Sequence, residues 1–373
     1  PRAAASVTRP TTPFRLAAAL VPALLVLPLL AGLAGTALPA FGRLPVLGAT
    51  SWSLEPWRAL LAEPGLAISL RLTLTSGLGS TVLALMLAVT ILAAGQGSRW
   101  LGLVERLLAP LLATPHLAFA VGLAFLLAPS GLIVRALSPW ATGWRQPPDL
   151  ATVQDPWGVA LTLGLALRET PFLLFTGLAA LRQLEVTHQL AAARSLGAGR
   201  ITAWLRVVLP QLYPKLRLPV LAVLAYGLSV VDVAIVLGPS APPTFAVQLL
   251  RWFTDPDLSR RLEASAGALL LLLVTGAALA AWRLGEQVAG AASARLGGMG
   301  RHPVLERAGG WPGGAAAGIV LGTGAATLLV LAAWSMATRW RFPALLPEGL
   351  GFTTLRTQLG ALAGPGLTTA LLA

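Results

Sequence analysis

Seven apolar runs set the terms for this sequence, at about 15–40, 66–94, 107–128, 157–181, 216–238, 264–282 and 314–337. Each approaches or exceeds the ~20 residues a helix needs to cross a bilayer. An eighth begins near Gly366 and reaches Ala373. A lipid-exposed backbone must close its hydrogen bonds within each segment, so such runs predict an all-α polytopic membrane protein. Composition agrees: 56% of the 373 residues are hydrophobic and 11% are charged, where a soluble domain carries about 25% charged residues. Arg2, Arg9 and Arg15 precede the first run, as they would in a signal peptide. That run is longer than a signal h-region and further spans follow, so it reads as a retained anchor.

The formal charge of +13 resides in arginines placed in short connectors between apolar runs. No aromatic-interleaved basic domain surrounds them, which argues for a lipid bilayer and against nucleic acid as the partner. With an inside N-terminus the cytoplasmic segments are 1–14, 95–106, 182–215 and 283–313. The third holds Arg182, Arg194, Arg200, Arg206 and Lys215 against Glu185 alone. The outside loops at 41–65, 129–156 and 239–263 mix both signs. Lys215, the single lysine, lies between Pro214 and Leu216, which excludes a phosphate-cradling G-x-x-x-x-G-K-[ST] loop. Cysteine is absent, and His116, His188 and His302 fall on separate segments without metal-ligand spacing. No metal, cofactor or catalytic arrangement is expected, and the chain reads as no enzyme.

Pro64-Gly65-Leu66 recurs as Pro365-Gly366-Leu367, and Phe41 as Phe342, at one offset of 301. The apolar run at 15–40 has its counterpart at 314–337. Duplicated halves around a pseudo-two-fold axis are a common transporter plan. The chain starts at Pro1 and its last apolar run is too short to span, so a second half is expected beyond Ala373, or a clipped reading frame. The same offset would put a second copy of the segment described next near position 492.

Residues 191–214 read AAARSLGAGRITAWLRVVLPQLYP, too charged to enter the membrane. The alanine run favours helix and Gly197 interrupts it, which suits a turn between two short helices. Ile201, Leu205 and Val208 form an apolar stripe, and Pro210 and Pro214 limit the second helix before re-entry at Leu216. A protruding helix pair suits partner docking, while an amphipathic linker on the membrane surface fits the same pattern.

At this point the sequence resembles the binding-protein-dependent ABC importer permeases. Their loop has the form E-A-A, three residues, G, nine residues, I-x-L-P. Ala192 and Ala193 fill the alanines, Gly197 the glycine, Val207 the isoleucine position and Leu209-Pro210 the end, while Ala191 replaces the glutamate. Ser69-Leu70-Arg71-Leu72-Thr73-Leu74 is similar to the family's helix-opening S-x-x-x-T pattern. The run Val230–Pro239 with Pro242-Pro243-Thr244 resembles the fused two-half permeases of the iron, thiamine and related group. The resemblance implies a MetI-like six-helix permease half plus the start of a second repeat. Its parts would be a cytoplasmic tail at 1–14, a first helix and external loop at 15–65, and a core at 66–285 with its coupling loop at 182–215. A linker at 286–313 and the beginning of a second half at 314–373 would follow. It further implies a cytoplasmic ATPase subunit dimer on the loop, an external solute-binding protein and a multi-pass location in a bacterial inner membrane.

Ionisable groups at mid-bilayer cost ~2.5–3.5 kcal/mol each and by default face a cavity or a partner. Arg168 and Glu169 fall near the middle of the fourth run, just before Pro171, and Asp232 lies in the fifth. They either line the pathway or form a buried ion pair, Arg168 with Asp232, that fixes helix register. A chain using Asp232 or Glu169 as an ion site would be a secondary transporter instead, which leaves the loop motif without a purpose.

Overall fold

A computed structural model describes residues 12–295 and 311–372; the tail at 1–11, residues 296–310 of the linker and His302 lie outside them. The first elements are α1 (Thr12–Ala40), α2 (Glu55–Ala62), α3 (Leu66–Gly95), α4 (Arg99–Ala113), α5 (His116–Leu127), α6 (Leu132–Leu137) and α7 (Val159–Leu181). Next come α8 (Val186–Ser195), α9 (Arg200–Ala203), a π turn (Trp204–Val208), α10 (Leu209–Ser229), α11 (Asp232–Leu237) and α12 (Phe245–Phe253). The described chain ends with α13 (Arg260–Arg295), α14 (Trp311–Met336), the short strands β1 (Ala337–Arg339) and β2 (Gly349–Leu350), and α15 (Thr353–Leu372). Among the described residues, seven helical segments are long and apolar enough to cross a membrane.

Four runs differ in their bounds from the sequence expectation. The third run, expected at 107–128, is broken at Thr114–Pro115, and its spanning segment is His116–Leu137. Proline lacks the N–H that would continue α4 and holds the preceding Thr114 extended, at φ −69° and ψ 125°. The fifth run, expected at 216–238, begins at Arg200 and stops at Ser229, because Pro214 and Pro219 lie inside α10 without ending it. Proline is tolerated in spanning helices where neighbours supply the lost contacts. α13 continues past the expected end at 282 to Arg295, taking up the first part of the expected linker. The eighth run begins at Thr353, not near Gly366, with Pro365 inside it. In the first copy Gly65 adopts φ +87° and separates α2 from α3, so the two copies of Pro-Gly-Leu serve different backbones.

The chain divides into two compact units, Pro1–Leu66 with Leu249–Val274, and Ala67–Gln248 with Thr275–Ala373. In the first, Arg260 donates to Glu63 (3.3 Å) and Glu263 (2.7 Å). α1 is bare: 11% of its apolar window is buried, and Leu24, Leu25 and Leu29 are exposed. In the second unit, one cluster joins α3, α4, α7 and α10 around Leu92, Leu173, Leu174, Trp204 and Leu216. Another joins α5, α7 and α11 around Leu123, Leu161 and Leu237. α14 serves both clusters through a stripe at Gly313, Ala316, Ala317, Val320, Gly324, Thr327 and Val330. Small residues at this spacing let helix backbones approach closely without hydrophobic drive from water. Gly77 in α3 and Gly227 in α10 do the same: a Cβ on Gly227 would stand 3.3 Å from the Gly77 Cα.

Arginine donors secure the irregular parts. Arg135, 4% exposed, donates to the carbonyls of Ser130 (2.7 Å), Arg341 (2.8 Å) and Ala344 (2.8 Å), with Trp340 and Phe342 over its guanidinium. Asp155 accepts from the Val159 (2.6 Å) and Ala160 (3.2 Å) amides and so satisfies the first turn of α7. In the S-x-x-x-T pattern, Thr73 Oγ1 donates to Ser69 O (2.8 Å) and accepts from the Phe245 amide (2.9 Å), fixing the start of α12.

A Cβ on Gly122 would meet the Thr327 carbonyl oxygen at 2.7 Å and its Cβ at 2.9 Å, whereas one on Gly324 would meet only the flexible end of Leu111. Gly122→Val should therefore lower thermal stability in detergent by about 1–3 kcal/mol, and Gly324→Ala by clearly less. Equal losses would show that α5 and α14 are not in backbone contact.

Candidate functional site

The motif residues fall into two connected groups. Ala191, Ala192 and Ala193 lie in the last turns of α8, whose end is sealed by Gly197. The Gly197 amide bonds Arg194 O (3.0 Å) and the Ala198 amide reaches back to Ala193 O (3.2 Å). This pairing is a Schellman cap, and Gly197 takes the left-handed position at φ +85°. A side chain there would meet no atom within 4 Å, so the requirement for glycine is one of backbone conformation. Ala191, Ala192, Ser195 and Gly197 are exposed, and Leu196 is 88% exposed. The loop thus presents a small-residue face with one projecting leucine.

Val207, Leu209 and Pro210 occupy the second group, against which α8 packs. The Leu209 amide bonds Trp204 O, one residue further back than an α-helix allows, and Pro210 follows without an N–H to restore the α pattern. The wide turn re-aims the buried stripe. Trp204, Val208, Leu212, Leu216 and Val220 are each at most 1% exposed, while Ile201 and Leu205 are only half-buried. The stripe read from Ile201, Leu205 and Val208 is corrected accordingly. Gln189 and Gln211 exchange amide hydrogen bonds (3.2 and 2.9 Å), and Gln211 also donates to Val207 O (2.7 Å). Arg200 donates to Gln96 O (2.5 Å), just past α3, and to Ala94 O (3.2 Å) in its last turn. Arg182 pairs with Glu105 of α4. The exposed loop is thereby strapped to α3, α4 and α10.

Inside the membrane layer, Arg168 and Glu169 are 6% and 7% exposed on α7. Arg168 Nη2 donates to Thr114 O (2.7 Å) and Leu112 O (3.4 Å), the carbonyls that the break after α4 leaves open. Glu169 Oε1 lies 3.0 Å from His116 Nε2, and the His116 ring packs on Tyr226 at 4.8 Å. These side chains, with Phe172 and Val223, line a cavity of about 340 Å³. Arg168 Nε is buried there without a partner. The expected Arg168–Asp232 ion pair is not formed among the described residues. The broken helix supplies Arg168 with nearer acceptors, and α10 stops before Asp232, which opens the separate helix α11. His116 and Tyr226 belong to this site though the sequence reading passed over both. The sequence signal for His116 was its place just after Thr114-Pro115, at the break that Arg168 serves.

No family model matches the sequence. The chain is 38% identical over 227 residues to the inner membrane ABC transporter permease protein YnjC of Escherichia coli K12. The match covers 60% of this chain and 42% of that protein, so the chain spans less than half the length of the curated relative it matches. Fold and likeness together describe an all-α polytopic membrane protein similar to an ABC transporter permease.

Arg168→Leu would strand two buried carbonyls, for a loss of about 1–3 kcal/mol on thermal unfolding in detergent. Glu169→Gln keeps a hydrogen-bonding group against His116 and should cost less. The reverse order would mean that Arg168 does not hold the α4–α5 break.

Proposed function

We propose that this chain is the transmembrane permease subunit of an ATP-binding-cassette importer of a bacterial inner membrane, with a cytoplasmic N-terminus. The observation that carries this reading is the exposed Ala191–Gly197 face, capped at Gly197 and strapped to α3, α4 and α10. It has the form of a rigid peg for a cleft in a partner. A cytoplasmic ATPase dimer is that partner, and the substitution of Ala191 for the family glutamate makes the contact more apolar. Closure of the dimer on ATP pushes the peg, and the straps carry the displacement into α3 and α10. Solute arrives from an external binding protein. Residues 15–285 form one six-helix permease half with its core at 66–285, and 314–373 open a second, as in the fused permeases of the iron and thiamine group. Arg168, Glu169 and Asp232 flank the pathway through this half, with Arg168 also holding the helix break.

A second reading, an ion-coupled secondary transporter, draws on the His116–Glu169 pair beside the cavity, because a buried carboxylate within the membrane is a common ion site. Uptake in vesicles separates the two. The permease reading expects transport only with the ATPase subunit and ATP, and gradient-driven uptake without that subunit would sink it.

A non-glycine residue in the left-handed region costs roughly 1–2 kcal/mol, and asparagine tolerates it better. Gly197→Val should therefore reduce ATP-driven uptake at least about tenfold while leaving insertion and ATPase binding measurable, and Gly197→Asn should retain most transport. Normal uptake by the valine variant would remove the loop from the coupling route.

A further inference from the structure

We infer that the groove between α10 and the last turns of α13 is a binding site for an anionic phospholipid. The cavity measures about 1030 Å³, far more than a phosphate-sized anion needs. Its lining includes the apolar Leu78, Leu205, Leu209 and Pro214. It also carries Arg206, Arg217 and Arg283 against Glu286, the single acid among its lining residues, an excess of positive charge beside hydrocarbon-like surface. Glu286, 8% exposed, is fully engaged: Oε1 accepts from Tyr213 (2.8 Å), and Oε2 from Arg217 Nε (3.1 Å) and Arg283. It orients the two arginines. Among the described residues Arg217 is engaged only through Nε, so its terminal nitrogens can meet a phosphate. Trp282 donates to the Tyr213 hydroxyl (3.1 Å), which itself donates to Glu286, so an aromatic pair adjoins the charged cluster, as aromatics do at headgroup level.

Charge and lining chemistry select the occupant together. A soluble anion has no use for the leucine lining, and a neutral lipid has none for three guanidinium groups. Basic pockets between spanning helices on the cytoplasmic side take acidic headgroups on these grounds. Leu209 and Pro210, which end the coupling motif, form part of the same groove, so an acyl chain there would rest on the helix that carries the loop. The proposal rests on reading α10 and α13 as spanning helices and not on ATP coupling. Lipid retention can therefore be measured without the partner subunits.

Native mass spectrometry of the purified full chain, titrated with phosphatidylglycerol or with phosphatidylcholine of the same acyl chains, tests this. Preferential retention of phosphatidylglycerol is expected. Arg206→Gln and Arg283→Gln should each lower that preference about fivefold, with Arg283→Lys restoring it. Arg206 is exposed, so its variant keeps the test valid if Arg283→Gln folds poorly. Equal retention of both lipids, or an unchanged preference in the Arg206 variant, overturns the proposal. Competition by millimolar inorganic phosphate would assign the arginines to a free anion and overturn it too.

Discussion

Three breaks in the regular backbone among the described residues leave carbonyls without a helical partner, and arginines supply the missing donors. Arg168 closes the end of α4, Arg200 the end of α3, and Arg135 the turns before α6 and after β1. An unpaired carbonyl in an apolar surrounding costs free energy comparable to a lost hydrogen bond, and a buried guanidinium is costly unless it is bonded. Each deficiency offsets the other. The fold can therefore break its helix at Thr114–Pro115 with the freed carbonyls bonded inside the protein.

The same economy separates what could be read in the sequence from what could not. Span number and the glycine cap were legible because hydropathy and an alanine run ending in Gly197 are local signals. Pro115 announced the break in the third run, but apolar residues on both sides masked it. The break at Val230–Val231 has no proline or glycine beside it and is set by packing of α11 on α5 and α7. Asp232 consequently left the continuous span in which it was expected, and its pairing with Arg168 went with it. Tyr213 with Arg217, and Arg283 with Glu286, carried i,i+4 and i,i+3 spacing. Nothing in the chain order showed that the two pairs would meet.

The exposed loop at Ala191–Gly197 and the membrane cavity share their supports. α7 bears Arg168 and Glu169 at one level and, at its end, leads through Arg182 into α8. α10 bears Tyr226 on the cavity and Gln211 on the loop. α8 is joined to both helices by short polar bonds and by the buried line from Trp204 to Val220.

The π turn makes the aim of the exposed loop a matter of counting. Each residue of an α-helix advances the chain ~1.5 Å and turns it about 100°. One residue more or fewer between Gly197 and Pro210 would swing the alanine face about a quarter of a turn away from its present bearing, with every side chain intact. The nine residues separating Gly197 from Val207 thus act as a ruler: chain length, as much as residue chemistry, decides where this surface points.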